Sequence, residues 1–501
     1  MSNNRKPTIA IIGGGFSGIY SAIRIQKELG IEPHIFEGSK DFGGTWHLNT
    51  YPGCGCDIPS HLYSLSTDLN PNWSRLYSPR EEIYQYTQDL VDKYKLHNNA
   101  TLNCEVVKAT WLDTDRKWKL DYRDRQAPAD QELQTVFYDI AFVAIGSIRV
   151  PKIPEHFKNF EGTVVHTAMW DSTIDFTGKR VAVIGSGASA VQAIPELSKV
   201  AAKLHNYQRS AIWCQIRGQY AYSSFVKFLF RWFPFVMKLY RLKIYLKLEF
   251  RYVIFGYFKS ILALAFKKRL TKEMTNRVLK CGRPDLVEKL IPNYVPGCKR
   301  IAVSDDYIEA LCRDNVVVEK NKIIKVNGRS ITTEDGNKEE FDILVLATGY
   351  NVQGFLGNLT VQGKHTQSLN DMWHNSFPEM YKTTCINGFP NLFIILGPSS
   401  ILGHNSVLSM TETQVNYIVQ GIKLMMKKNL VAFDPTKKAQ DKFVAELHAD
   451  LENTVWKKGG CNSWYLNTDG DVTSNWSSTV TRFIVKLRKF KNFDDFNIYK
   501  E

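Results

Sequence analysis

Short apolar runs that end in glycine recur along this chain. Thr8–Ile12 leads into Gly13-Gly14-Gly15-Phe16-Ser17-Gly18, and Arg180–Ile184 leads into Gly185-Ser186-Gly187-Ala188-Ser189-Ala190. Each run has the length and continuous hydrophobicity of a strand buried on both faces of a parallel sheet, and each glycine stretch opens a helical run. Further strands are expected at Pro33–Phe36, within Ala100–Tyr122, and at Tyr138–Ile145, Lys203–Tyr207 and Pro390–Leu396. Phe341–Tyr350 repeats the theme of a strand followed by glycine, while Arg80–Tyr94 and Ser406–Met426 read as helices. Strands alternating with helices predict an α/β protein.

Glycine lets the backbone turn tightly from strand to helix and lets a pyrophosphate rest on the helix N-terminus, where free N–H groups favour negative charge. An acidic residue about 20 positions on binds a free ribose 2′-hydroxyl, whereas an arginine accommodates a 2′-phosphate. Glu37 therefore assigns FAD or NAD to the first loop, with Gly13, Gly15 and Gly18 as candidate binding residues. Arg209 assigns NADPH to the second, with Gly185, Gly187, Ser189 and Ala190. Alone, Arg209 is equally a solvated residue after a strand. The expected fold is two Rossmann-like dinucleotide-binding domains with a helical insert in the second. Arg149–Pro154 reads as a linker, which gives a discontinuous FAD-binding domain at 1–152 and 336–501 and an NADPH-binding domain at 153–335. The insert occupies about 215–295.

With 501 residues, 44% hydrophobic and 23% charged, the chain is long and apolar enough for large cores, which excludes disorder. Its nine cysteines form no paired CxxC sets, so no metal site is expected. Thr8 already begins a strand, so no signal peptide is expected, and reduced thiols in a cytoplasmic setting are the default. Net charge of +14 raises nucleic acid or anionic membrane as partners, but much of the excess lies between Tyr220 and Lys280, where basic residues alternate with aromatics and leucine. No nucleic-acid partner is expected. Lys227, Arg231, Lys238, Arg241, Lys243, Lys247 and Arg251 interrupt that segment short of the roughly 18 apolar residues of a spanning helix. It is read as amphipathic helices packed on the body of the protein, with peripheral membrane contact through residues 220–280 as the second reading.

Phe160-Glu161-Gly162-Thr163-Val164-Val165-His166-Thr167-Ala168-Met169-Trp170-Asp171 resembles the fingerprint FxGxxxHxxxW(P/D) of type I Baeyer–Villiger monooxygenases, with Phe160, Gly162, His166, Trp170 and Asp171 at its defined positions. The likeness extends to Gly43-Gly44-Thr45-Trp46, Tyr51-Pro52-Gly53 with Cys56-Asp57, Gln208-Arg209-Ser210, Gly297-Cys298-Lys299-Arg300, Ala347-Thr348-Gly349-Tyr350 and Ser463-Trp464-Tyr465. Related flavin-containing monooxygenases, which mostly oxidise nitrogen and sulfur, usually lack the Trp-Asp ending. The resemblance implies FAD, with Gly44, Thr45 and Trp46 at its site, and NADPH, whose 2′-phosphate Arg209, Ser210 and Lys299 would share. It implies O2 and a small-molecule ketone as substrates, Arg300 as the catalytic arginine and Asp57 as the carboxylate that positions it. His166 would couple domain movement to the chemistry, and Trp464 would cover the nicotinamide. Without the family, Asp57 and Arg300 read as a structural ion pair, His166 as a buried imidazole, and Trp170 and Trp464 as core aromatics.

Two unlike nucleotide cofactors imply hydride transfer from NADPH to FAD, after which the reduced flavin needs an acceptor. Cys54 and Cys56, one residue apart, lack the spacing of a disulfide reductase pair, so dioxygen is expected. The resulting flavin C4a-peroxide must stay anionic to attack a ketone, and one well-placed cation stabilises the oxyanion that follows by about 3 kcal/mol. The expected product is an ester or lactone. Oxygenation of amines or sulfides by the protonated peroxide is one alternative, and an inert, membrane-associated flavin-binding protein is another. Gly55 departs from the arginine that many family members carry before the Cys-Asp pair, which removes a cation expected near the flavin.

Overall fold

Two five-stranded parallel sheets organise the computed structural model, which describes residues 5–128, 130–257, 260–374 and 376–500, with Ile254 and Phe255 described by backbone alone. Residues 1–4, 129, 258–259, 375 and 501, which fall within the expected domain spans and the 220–280 segment, lie outside the described residues.

The first sheet runs Leu392–Ile394, Ile140–Val143, Ile9–Ile12, His34–Phe36, Ala100–Thr101 across its width. Its two central strands are buried at every position. Helices Phe16–Leu29 and Val407–Lys427 cover one face. A four-stranded sheet built from Thr360–Gln362, Cys104–Leu112, Lys117–Asp124 and Gln134–Tyr138 covers the other through Val361, Trp111 and Trp118. The region expected as strand at Ala100–Tyr122 thus divides between two sheets.

The second sheet runs Val316–Glu319, Lys203–Tyr207, Arg180–Ile184, Ile343–Leu346, Thr163–His166, with helix Ala188–Val200 against it. Ile343–Leu346 pairs with both Arg180–Ile184 and Thr163–His166. The expected boundary at residue 336 is therefore early, because that strand, assigned to the first domain, completes the second sheet. Its signature of apolar run then glycine is common to both sheets and does not say which one it joins.

In each sheet the chain order reverses beside the strand that precedes the glycine loop, which opens a crevice at the strand ends where such folds bind ligands. A Cβ at Gly13 would lie 2.5 Å from the Ala144 carbonyl oxygen, and one at Gly185 would lie 2.5 Å from that of Ala347. The same steric need for glycine thus appears twice. Two chain segments join the sheets side by side, with Lys152 N donating to Gly349 O and Asn351 N to Val150 O, both at 2.8 Å.

The insert forms helices Ser224–Trp232, Pro234–Phe255 and Ile261–Lys280. Its inner side is docked: Arg241 Nη1 donates to His61 O at 2.6 Å and Ser64 O at 2.9 Å, and Tyr252 OH donates to Ser477 O at 2.5 Å. Among the described residues no helix is long and apolar enough to cross a membrane.

Candidate active site

The first glycine loop is fitted for a dinucleotide by its neighbours. Glu37 is buried, and its carboxylate accepts from Gly14 N at 2.5 Å and Ser39 N at 2.7 Å. These bonds fix the carboxylate at the mouth of the loop, where a ribose hydroxyl would meet it. Gly43 N donates to Gly14 O at 3.0 Å, and Gly44 packs directly against the backbone of Gly15, with Thr45 and Trp46 following in the next helical turn. Trp46 is buried, with Nε1 donating to Tyr63 OH at 3.2 Å.

The second loop is more open. Gly187 N-caps helix Ala188–Val200, whose first turn holds Ser189 and Ala190, and a Cβ at Gly187 would meet nothing within 4 Å. Lys299 Nζ donates to Ser210 Oγ at 2.9 Å, and Ser186 Oγ donates to Ser210 O at 2.7 Å. Burial, and then the charge of Arg209, hold the Lys299 ammonium below its ordinary pKa. Among the described residues neither Lys299 nor Arg209 has an ion-pair partner. Two cations that repel one another at a helix N-terminus fit a phosphate whose binding would relieve that repulsion.

Between the two loops the structure joins residues 243 apart in sequence. Arg300 Nε donates to Asp57 Oδ2 at 2.5 Å and Nη2 to Oδ1 at 2.6 Å, a bidentate pair in which each side chain is about one quarter exposed. Arg300 Nη1 donates to Leu402 O at 3.2 Å. Asp57 comes from the loop after the first glycine unit and Arg300 from the segment before strand Ala302–Val303, so the pair ties one unit to the other. Burial raises the Asp57 pKa, and the Arg300 guanidinium overrides it, so the carboxyl stays below its usual range while Arg300 is pushed up.

Four features lie beside this pair, two of which, at Tyr465 and Cys298, fall within motifs noted in the sequence. Arg251, on the inner side of the insert, lies in the electrostatic neighbourhood of Tyr77, Asp57 and Arg300, and burial lowers its pKa. A helix nearly 200 positions away in the sequence thus brings a cation into the electrostatic reach of Asp57. Tyr465 is fully buried beside Arg300. Glu249, also from the insert, accepts from Asn405 Nδ2 at 2.9 Å, Val480 N at 3.1 Å and Thr481 N at 2.9 Å, with His404 Nε2 at 3.4 Å. Burial raises the Glu249 pKa, and these hydrogen bonds overcome it and bring the value down to about 2. Next to them, His404 Nδ1 and Ser406 Oγ are buried without hydrogen-bond partners just before helix Val407–Lys427. Such orphaned polar atoms fit a cofactor or substrate that bonds them.

The fourth feature overturns the expectation of reduced thiols. Cys298 and Cys461, 163 positions apart, form a disulfide, and seven other cysteines are free, with Cys54 and Cys56 among them. It staples the segment carrying Lys299 and Arg300 to the loop carrying Trp464 and Tyr465. Trp464 sits at the surface, 37% exposed, with its ring 4.4 Å from that of Tyr465.

The fingerprint residues lie apart from the Asp57–Arg300 pair. Phe160 packs into the second sheet's core, Trp170 stacks on Phe176 at 5.3 Å, and Asp171 Oδ1 accepts from Thr173 N and Oγ1. Gly162 leads into strand Thr163–His166. His166 is buried at its end, its Nδ1 accepts from Ala168 N at 3.0 Å, and burial holds its pKa below the ordinary imidazole value. Its ring meets that of Tyr350, in the linker between the sheets, at 6.4 Å. The Tyr51-Pro52-Gly53 turn also spans the units: Tyr51 OH donates to Gln192 Oε1 at 2.7 Å, and Gly53, at φ +76°, would place a Cβ 2.3 Å from Gln192 O.

Two parallel sheets, each with a glycine turn after a central strand, define a two-dinucleotide architecture of the kind found in oxidoreductases. Residues 6–446 match the family model described as flavin-binding monooxygenase-like, and the chain belongs to that family. It is 36% identical over 485 residues to a Baeyer-Villiger monooxygenase of Pseudomonas aeruginosa, covering 96% of this chain and 90% of that one. A Baeyer-Villiger monooxygenase of Streptomyces coelicolor is 32% identical over 484 residues, covering 96% and 91%. In fold the chain is similar to OTEMO in complex with FAD and NADP, with a TM-score of 0.85 at 24% identity over 99% of this chain and 100% of that one.

Proposed function

We propose that this monooxygenase uses FAD and NADPH to insert one atom of O2 beside the carbonyl of a small-molecule ketone, giving an ester or lactone. The observation that carries the reading is the bidentate Arg300–Asp57 pair, which joins the loop after the first glycine unit to the segment before strand Ala302–Val303. Bound FAD supplies hydride acceptance from NADPH and the activation of dioxygen.

The chain's own residues supply position and charge. Gly13, Gly15 and Gly18 admit the FAD pyrophosphate, Glu37 holds its ribose, and Gly44, Thr45 and Trp46 close over it. Gly185, Gly187, Ser189 and Ala190 receive the second pyrophosphate, while Arg209, Ser210 and Lys299 select the 2′-phosphate. Asp57 holds the Arg300 guanidinium by two charge-assisted bonds, so its N–H groups are aimed before substrate arrives. Arg300 then stabilises the negative charge that develops on the substrate carbonyl oxygen, by about 3 kcal/mol for a donor of this kind. Arg251 adds positive potential at the same place. His166, neutral and buried beside the linker, serves domain coupling in this reading, and Trp464 covers the nicotinamide side.

Product analysis with a ketone panel against a sulfide and an amine tests the reading. Ester formation coupled to NADPH use supports it, and exclusive sulfoxide or N-oxide formation would overturn it.

A further inference from the structure

Exposed large apolar side chains are concentrated in the insert. Of twenty-nine among the described residues, fourteen fall between Phe225 and Leu264. On helix Pro234–Phe255 they are Phe235, Leu239, Leu242, Leu246, Phe250 and Val253, between 42% and 61% exposed. Their spacing of three and four residues gathers them into one stripe along the helix. Met237, Ile244, Leu248 and Tyr252, all buried, occupy the opposite side. The helix is therefore apolar on both sides, and among the described residues only one side is buried against protein. Phe225, Phe228 and Trp232 repeat the pattern on helix Ser224–Trp232, as do Ile261, Leu262 and Leu264 at the start of helix Ile261–Lys280.

Charge says what would cover this face. Lys238, Lys243 and Lys247 are exposed beside the central stripe, and Lys268, Arg269 and Lys272 are exposed farther along. From residue 220 to 272 the only carboxylate is Glu249, which is buried and turned inward. A second copy joined through the same face about a twofold axis would set these lysines against one another. Hydrocarbon edged by phosphate satisfies both the stripe and the lysines, which can snorkel to the headgroups.

We infer that the outer face of the insert seats on an anionic phospholipid surface, with the apolar stripes entering the interface and Lys238, Lys243 and Lys247 engaging headgroup phosphates. The seat is reversible and separate from the oxygenation site, so it stands or falls independently of the ketone reading.

The FAD-loaded full chain is sedimented with vesicles of phosphatidylcholine alone or mixed with phosphatidylglycerol, at about 0.1 M and about 0.5 M salt. Binding to the mixed vesicles, loosened at high salt, is expected. The variant Lys238→Glu/Lys243→Glu/Lys247→Glu and the variant Leu239→Ser/Leu242→Ser/Leu246→Ser should each lower vesicle partition by at least about tenfold, with FAD content unchanged. Parent protein that stays in the supernatant with mixed vesicles would overturn the proposal. So would a stable dimer that Leu239→Ser/Leu242→Ser/Leu246→Ser dissolves while vesicle binding is absent.

Discussion

Replacing Asp57 by asparagine preserves side-chain shape and removes the charge that holds Arg300. Of the two hydrogen bonds at 2.5 and 2.6 Å, one meets an amide NH2 in place of an acceptor and the other only a neutral amide oxygen, and Arg300 keeps Leu402 O at 3.2 Å. Breaking a fully buried pair costs about 3–5 kcal/mol. Both side chains are about one quarter exposed, so solvent screening brings this to about 2–3 kcal/mol. If that loss falls on the oxygenation step, ester formation drops by about 30- to 150-fold. The assay is ester yield per NADPH from a ketone, measured by mass detection beside the FAD absorbance of the purified variant. FAD content should hold, because Gly13, Glu37 and Trp46 keep their bonds. Ester formation within about threefold of the parent, at full FAD content, would refute the reasoning.

Arg209→Ala should weaken the preference for NADPH over NADH by at least about tenfold, since one of the two cations serving the 2′-phosphate is gone; paired kinetics with both cofactors check it. Cys461→Ser opens a closed loop of 163 residues' separation, worth up to about 5 kcal/mol by chain entropy, and should lower the thermal unfolding temperature. A reductant should reproduce the shift in the parent only, and denatured parent protein should titrate seven free thiols rather than nine. Glu249→Gln should destabilise by up to about 3 kcal/mol at pH 7, because the folded-state pKa of about 2 lies below the ordinary carboxylate value. That stabilisation is present above the unfolded-state pKa and is lost as pH falls toward 2, so thermal melts of parent and variant should converge at low pH.

The glycine loops were legible in the sequence because their requirement is local: a strand, a turn without Cβ and a helix N-terminus lie within a dozen residues. Glu37 and Arg209 followed by spacing from those turns. The boundary near 336 was misplaced because Ile343–Leu346 has the same local pattern as strands of either sheet, and only pairing decides between them. Asp57 and Arg300, 243 positions apart, were reached through family resemblance rather than spacing. Arg251, Glu249 and the Cys298–Cys461 bridge were not reached at all. Each depends on how the insert or a late loop docks, and a side chain's tertiary neighbours leave no periodic trace along the chain. The fingerprint behaved differently again: its residues mark the family, yet His166 alone among them reaches the linker between the sheets, and none touches the ion pair.

The decisive observation is the rate of ester formation from a ketone by FAD-loaded Arg300→Ala. With FAD retained, that rate should fall by at least about 100-fold, in line with the loss of one preorganised donor and its charge. Ester formation by Arg300→Ala at the parent rate would contradict the role assigned to this guanidinium.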